Sequence, residues 1–178
     1  MSRFIWILLL ISSSCFADMS GTKYIYLYDK YQQSHQIGKI NFTEQEGKIK
    51  YQLDIDTHTF KDYFLSMKEM KCLEGPELWC YIPYPYHNPH FITQTDLAWL
   101  EHDLLFMYKP KGSFGANLWN GIYYKLKINS QQQIEGLAHS VDLNIIAAPS
   151  EQIQAPIKLV DLDESEPELR WLPTIVIK

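Results

Sequence analysis

The fold is decided by residues 23–56, which have the sequence KYIYLYDKYQQSHQIGKINFTEQEGKIKYQLDID. Apolar and polar side chains alternate strictly over residues 49–55, which is the period of a strand with one buried face. Residues 24–28 alternate in the same way, and another strand-like run covers residues 37–42. Residues 45–47 (Gln-Glu-Gly) supply a hairpin turn in which glycine permits a positive φ. The pattern therefore predicts an antiparallel three-stranded meander.

A further hairpin is predicted in the carboxyl-terminal half. Residues 122–128 alternate between apolar and polar side chains, and residues 134–138 supply the partner strand. Residues 129–132 form the turn between them, and Gly136 marks a β-bulge.

The middle of the chain carries weaker signals. Aromatic and apolar side chains at helical spacing over residues 60–67 predict a short helix towards Cys72. Thr95 is a candidate helix cap. We predict a helical turn at 95–100, followed by a strand at 101–108.

The end of the chain completes the fold prediction. Residues 149–170 contain prolines and an acidic run, which predict a long surface connection. Residues 171–177 predict a last short strand at a sheet edge, because Pro173 cannot donate to a ladder. About seven or eight short strands with one or two short helices predict a mainly β fold. Both an antiparallel β-sandwich and a small open β-barrel fit this pattern.

The first seventeen residues, MSRFIWILLLISSSCFA, have the pattern of a secretory signal peptide. Arg3 precedes an apolar run, which covers about half of the ~20 residues that a transmembrane helix needs. We predict cleavage after Ala17 and export of residues 18–178 as one globular domain, periplasmic or secreted. The alternative is an outer-membrane lipoprotein attached through Cys15. Ser12 disfavours it, because lipoprotein signals usually carry leucine at that position.

The composition is that of a globular protein, with 46% hydrophobic and 21% charged residues. Lys and Arg number 16 against 21 Asp and Glu, for a formal net charge of -5. This balance argues against a nucleic-acid partner, because phosphate contacts require a basic face. It also disfavours electrostatic docking on anionic lipid. An envelope protein or a glycan is the partner that the sequence favours.

The compositional anomaly is segment 79–102, WCYIPYPYHNPHFITQTDLAWLEH, which concentrates proline, tyrosine and histidine. Alternating proline and tyrosine holds an extended, stiff backbone, and a long ordered loop of this kind is typical of binding surfaces. Tyr84 and Tyr86, two positions apart, are expected to share one face. Core packing of the aromatic rings is the competing interpretation. The candidate binding residues are Trp79, Tyr84, Tyr86, Trp119 and Tyr123.

Metal binding is the alternative chemistry of the same segment. His87, His90 and His102 are candidate ligands for zinc, since imidazole is a common zinc ligand. Their spacing does not match the helical H-E-x-x-H motif of metalloproteases. No serine lies in a G-x-S-x-G elbow, and no glycine-rich phosphate loop is present. The sequence therefore favours a non-enzymatic binding or accessory protein of the bacterial envelope without a cofactor. A metal-dependent hydrolase or a metal-binding protein is the alternative.

Cys72 and Cys80 are the two cysteines that remain after signal cleavage. In an oxidising compartment a close, even pair predicts a structural disulfide. Gly75-Pro76 between them is a turn dipeptide that folds the segment back on itself. Closing this short loop stabilises the fold by roughly 2–3 kcal/mol on the chain-entropy model.

We expect periplasmic material to contain the Cys72–Cys80 bond. Intact mass after alkylation, with and without prior reduction, measures it directly. Neither cysteine should be alkylated in unreduced material, because both sulfurs are in the disulfide, and both should be alkylated after reduction. Free thiols at both positions in unreduced material would contradict the assignment.

Overall fold

The computed structural model describes residues 19–64, 67–113, 115–148, 154–163 and 169–178. Within these ranges the chain is mainly antiparallel β, with twelve strands in one open sheet and one short α-helix. The predicted fold class is therefore confirmed at the level of mainly β. The predicted count of seven or eight strands is too low, and neither the β-sandwich nor the small barrel is confirmed.

The strands are β1 Gly21–Tyr28, β2 Ser34–Gln45, β3 Lys48–Ile55, β4 Lys61–Asp62, β5 Lys71–Glu74, β6 Leu78–Ile82, β7 Phe91–Ile92, β8 Leu105–Lys109, β9 Gly121–Ile128, β10 Ile134–Val141, β11 Leu162–Asp163 and β12 Thr174–Ile177. Helix α1 is Ala98–Asp103, and 3₁₀ helices lie at Thr57–Thr59, Leu118–Asn120, Leu143–Ile146 and Leu159–Asp161. The strand order is β4-β5-β6-β8-β9-β10-β12-β1-β2-β3-β7, and β11 pairs with β10 outside this order.

The predicted meander is confirmed as β1, β2 and β3. Glu46 and Gly47 connect β2 to β3 and have φ angles of 52° and 74°, the positive values of a two-residue hairpin turn. A β-bulge lies in β2, because Ile25 pairs with Gly38 while Tyr26 pairs with Gln36. The predicted hairpin of β9 and β10 is also confirmed.

Two details of the sheet differ from the prediction. β12 is an interior strand between β10 and β1, because Pro173 precedes the strand and leaves its ladder intact. The Pro173 carbonyl itself accepts a hydrogen bond from the Ala138 amide at 2.9 Å. Gly136 is not a bulge, since the register of β10 continues through it. A Cβ there would lie 2.7 Å from the Leu126 side chain, so the glycine makes room between neighbouring strands.

The helix predictions have a mixed outcome. The predicted helix at 60–67 is wrong over its described part, where residues 61–62 form β4, while residues 65 and 66 lie outside the described residues. The predicted turn and strand at 95–108 exist as α1 and β8, about three residues later than expected. Thr95 does not cap the helix; the Asp96 carboxylate accepts from the Ala98 amide instead.

Two other predicted segments lie wholly or partly outside the described residues. The proposed signal peptide, residues 1–17, is one of them. The predicted connection at 149–170 is described only in part, and there it contains a 3₁₀ helix and β11. In the described ranges, no helix has the length and apolar character needed to cross a bilayer.

The sheet is strongly curled. This is seen from its core, to which strands from distant positions in the strand order contribute side chains. Phe42 of β2, Trp79 of β6 and Leu126 of β9 belong to the same buried cluster, together with Leu100 of α1. A second cluster covers the opposite face of β5, β6, β8 and β9, where Ile157 and the 3₁₀ helix at 143–146 pack over it. The central strands are thus buried on both faces, whereas the meander exposes one face to solvent.

Cys72 and Cys80 form the expected disulfide. They are directly paired residues of β5 and β6, and residues 75–77 form the turn of this hairpin. Both cysteines are fully buried in the second cluster. The bond therefore ties a hairpin whose outer neighbour, β4, has only two residues.

Replacing Gly38 by alanine should destabilise the fold by about 2 kcal/mol, because overpacking beside a backbone atom forces the chain to shift. An added Cβ would lie 2.3 Å from the carbonyl oxygen of Asp54 in β3. Urea denaturation measures the loss, with exposed Lys39→Ala as the neighbouring control, expected to change stability by less than about 0.5 kcal/mol. Equal effects of the two substitutions would contradict the close packing of β2 on β3.

Candidate functional site

Helix α1 carries three consecutive ionisable residues, Glu101, His102 and Asp103, which are all buried. Charged side chains are rarely buried unless they are paired. Successive residues of a helix point in different directions, so the three groups reach three different parts of the fold.

Glu101 reaches β9 and is fully saturated there. Its carboxylate accepts hydrogen bonds from the Tyr123 hydroxyl, from the Lys125 ammonium at 2.9 Å and from the Leu126 amide at 2.8 Å. Burial and the neighbouring carboxylate raise the pKa of Tyr123. With these donors, Glu101 acts as a fixed anchor between α1 and the sheet.

His102 holds the 154–158 segment against the helix. Its Nδ1 lies 2.7 Å from the Ala98 carbonyl, and its Nε2 accepts from the Ile157 amide at 3.0 Å. These partners define the neutral tautomer with the proton on Nδ1. Burial lowers the pKa of His102 to about 4. The imidazole is therefore a neutral structural connector at pH 7.

Asp103 joins two strands that are far apart in the sheet order. Its carboxylate accepts from the Tyr51 hydroxyl of β3 at 2.8 Å, and its backbone carbonyl accepts from the Tyr81 hydroxyl of β6 at 3.1 Å. His90 Nε2 lies 3.4 Å from the same carboxylate oxygen as Tyr51. Burial raises the pKa of Asp103, while Tyr51, Asn88 and His90 act in the opposite direction.

The loop between β6 and β7 places His90 beside Asp103 at a cost in backbone strain. His90 has φ 55°, which lies in the left-handed region. Its amide donates to the Asn88 side chain at 2.8 Å, and its carbonyl accepts from the Tyr51 amide at 2.9 Å. Asn88 also donates to the Trp99 carbonyl at 3.0 Å. Strain held in place by this many hydrogen bonds is typical of functional positions.

These groups surround an open groove of about 500 Å³, which we name the Asp103 groove. Its described lining residues are Lys50, Tyr51, Gln52, Leu53, Tyr81, Pro83, Tyr84, His90 and Asp103. The side chain of Asp103 is 12% exposed and that of His90 is 48% exposed. A buried carboxylate thus faces a groove with aromatic walls.

A second groove, of about 340 Å³, lies on the other side of α1 beside Glu101 and Lys125. The charges of these two residues are already paired at 2.9 Å. Because this pairing leaves the carboxylate little capacity for a ligand, the Asp103 groove is the better candidate site.

The structure separates the five candidate binding residues predicted from the sequence. Trp79 and Tyr123 are buried, on opposite faces of the sheet. Trp119 is exposed on a 3₁₀ helix and does not line the Asp103 groove. Tyr84 lines the groove. Tyr86 is not a lining residue but lies next to Tyr84, and the centroids of the two rings are 5.8 Å apart. Of the five candidates, Tyr84 is thus the one that lines the groove.

The predicted zinc ligands are not brought together. Across the described residues, no three His, Cys, Asp or Glu side chains are grouped so that they could hold a metal ion. Both ring nitrogens of His102 contact backbone groups, so this imidazole offers no lone pair. His90 faces Asp103, whereas His87 is exposed in the same loop.

Several residues of the site were not recognised from the sequence. Tyr51, Tyr81 and Asp103 line the groove, and Asn88 hydrogen-bonds to Tyr51 and His90. Tyr51 and Tyr81 have the pattern of ordinary strand residues, because nothing local shows that their hydroxyls converge on Asp103, at its carboxylate and its backbone carbonyl respectively. A usable signal was the run Glu-His-Asp at 101–103 between apolar residues, since charges inside an apolar run require buried partners.

The depressed pKa of His102 makes stability depend on pH. The unfolded state takes up a proton near the ordinary value of 6.5, whereas the folded state does so only near 4, so stability rises with pH between these values. Relative to a His102→Gln variant, the free energy of unfolding should fall by up to about 3 kcal/mol as pH drops through this window. The raised pKa of Asp103 makes stability fall with rising pH, but this effect is present both in the unsubstituted protein and in His102→Gln, so it cancels in their difference.

Urea denaturation at a series of pH values measures this difference. Exposed His87→Gln is the matched control and should retain the pH dependence of the unsubstituted protein. A flat difference for His102→Gln would contradict the neutral, buried imidazole.

Comparison of the chain with protein-family models, with curated proteins and with solved structures found no match in any of the three. The assignment of function therefore depends on the geometry of the Asp103 groove.

Proposed function

We propose that this chain is an exported, non-enzymatic binding protein of the bacterial envelope that recognises its ligand in the Asp103 groove. The observation that carries the proposal is the Asp103 carboxylate, which is buried but reaches an open groove. Polar groups in an otherwise aromatic concave site are what fixes the orientation of a bound ligand.

Export is supported by two independent features. The amino-terminal residues have the basic, apolar and small-residue order of a signal peptide. The disulfide between Cys72 and Cys80 suits an oxidising compartment such as the periplasm.

Binding is supported by the elements that form the lining of the groove. Tyr51 and Tyr81 lie on strands, and Asp103 lies at the end of a packed helix. The walls are therefore preformed, which lowers the cost of ordering them on binding.

Tyr84 and Tyr86 provide a matched pair of variants that tests this site. Both rings are half-buried, but Tyr84 lines the groove while the Tyr86 hydroxyl donates to the Ala147 carbonyl at 2.9 Å outside it. Tyr84→Ala should weaken ligand binding by on the order of 1–2 kcal/mol, as the loss of a central aromatic contact does. Tyr86→Ala should leave affinity nearly unchanged.

The measurement uses isotope-labelled protein and the small-molecule fraction of an envelope extract. Amide chemical shifts of groove residues such as Gln52, Leu53 and His90 should respond in the unsubstituted protein and in Tyr86→Ala, and respond less in Tyr84→Ala. Melting temperatures of both variants control for loss of folding. Shifts confined to another surface, or an equal response of the two variants, would refute the proposed site.

A further inference from the structure

The Asp103 groove combines a deep carboxylate with aromatic walls. Tyr81 and Tyr84 line the groove, and Tyr51 lies beside the carboxylate with its ring 5.3 Å from that of His90. Electron-rich ring faces and a carboxylate favour the same type of ligand, a cation that carries apolar carbon. An ammonium group that lies over the face of an aromatic ring is attracted by the ring quadrupole.

The charges in the groove are arranged by depth. Asp103 is the deepest charged group, with a 12% exposed side chain, whereas Lys50 is exposed on β3. The His90 ring is the nearest cationic group, and at 3.4 Å it is charged only when protonated. Among the described residues, His90 is the one side chain that can form an ion pair with this carboxylate, so a neutral His90 leaves it without a cationic partner from that part of the chain.

The desolvation of Asp103 favours a cationic ligand. Burial raises the pKa of this carboxyl, so its charged form is held at a cost that a bound cation would offset. Tyr51 already donates one hydrogen bond at 2.8 Å, which orients the carboxylate without neutralising it. An ammonium group would add charge-assisted hydrogen bonds, which are stronger than neutral ones.

We infer that the groove binds the protonated primary amine of its ligand, with the ammonium on Asp103 and the adjoining carbon atoms against Tyr81 and Tyr84. This inference rests on the proposed function and specifies the ligand class of the same site. An amine of this kind occurs on a lysine side chain and on an amino sugar, and both present the same ammonium group.

The affinity for an ammonium should rise with pH. Binding requires ionised Asp103, whose pKa is raised, and protonated His90 competes for the same oxygen. The groups facing Asp103 are Tyr51 and Lys50 from β3, Tyr81 from β6, and Tyr84, Asn88 and His90 from the loop. Burial raises the pKa values of Tyr51 and Tyr81, so these hydroxyls stay neutral donors throughout.

Three probes with the same carbon chain test the charge requirement: butylammonium, 1-butanol and butyrate. Amide chemical shifts are followed on the full exported chain. At about pH 8, butylammonium should shift the groove amides of Gln52, Leu53 and His90, and its affinity should fall as the pH is lowered towards about 5. Equal shifts with 1-butanol would overturn the inference in favour of an apolar slot, and stronger shifts with butyrate in favour of an anion site.

Two variants with opposite expected effects accompany the probes. Asp103→Asn keeps an acceptor for the Tyr51 hydroxyl but removes the charge, and should weaken butylammonium binding at least about tenfold. His90→Asn suits the left-handed backbone and removes the imidazole that lies 3.4 Å from the Asp103 carboxylate, so it should strengthen binding by about two- to threefold. If Asp103→Asn does not fold, the pH series and the His90→Asn variant still test the ammonium site. An affinity for butylammonium that changes neither with pH nor in His90→Asn would overturn the inference.

The extract experiment separates this inference from the proposed function. If extract ligands shift the groove amides but butylammonium does not, the binding site stands and the ammonium assignment fails. If neither shifts them, both fail. Comparison of Nα-acetyl-lysine methylamide with glucosamine then identifies the source of the amine, and preference for either supports the ammonium assignment.

Discussion

The contacts of Asp103 in helix α1 are the constraint on which the curled sheet depends. Its carboxylate accepts from Tyr51 of β3, and its backbone carbonyl accepts from Tyr81 of β6. These two strands are separated by six others in the sheet order, so no ladder of backbone hydrogen bonds connects them. The helix thus closes the gap that the strand pairing leaves open. Glu101 and His102 extend the same attachment to β9 and to the 154–158 segment.

Buried polar contacts of this kind are sensitive to the loss of any one partner. Removing one member of a buried pair leaves the other unsatisfied, which costs more than the net contribution of the intact pair. At Asp103 the cost is higher because several contacts depend on one another. The Tyr51 and Tyr81 hydroxyls donate to Asp103, the Asn88 amide donates to the Tyr51 hydroxyl, and the His90 imidazole lies beside the carboxylate. The architecture therefore has little tolerance for substitution at Tyr51, Asn88 or Asp103.

The same residues that hold the curl also form the groove, which connects stability to the proposed function. Tyr51 and Tyr81 are wall residues and structural donors at the same time. The strain at His90 is held by hydrogen bonds to Asn88 and Tyr51. A ligand that pairs with Asp103 would therefore be expected to stabilise the folded chain as well as to occupy the groove. His102, which is neutral and fully bonded, belongs to the scaffold alone.

The sequence by itself determined the strands in which solvent-exposed positions alternate with buried ones over at least part of their length. The alternation over residues 49–55 and 122–128 predicted the correct hairpins, and Glu46-Gly47 predicted the correct turn, because these signals are local. The spacing of Cys72 and Cys80 likewise predicted the disulfide. In contrast, β6 is buried on both faces, so its apolar run carries no alternation that would separate strand from helix.

Only the tertiary structure decided where the last strand pairs and which residues form the site. β12 lies in the sheet interior because it begins at Thr174, directly after Pro173, whereas the predicted edge strand began three residues earlier, at 171. His90 was a candidate from the sequence, but its partner is Asp103, not another histidine. The groove arises because the curl of the sheet brings β3 to the end of β6. Such a contact between residues 30 or more positions apart has no periodic signature in the sequence.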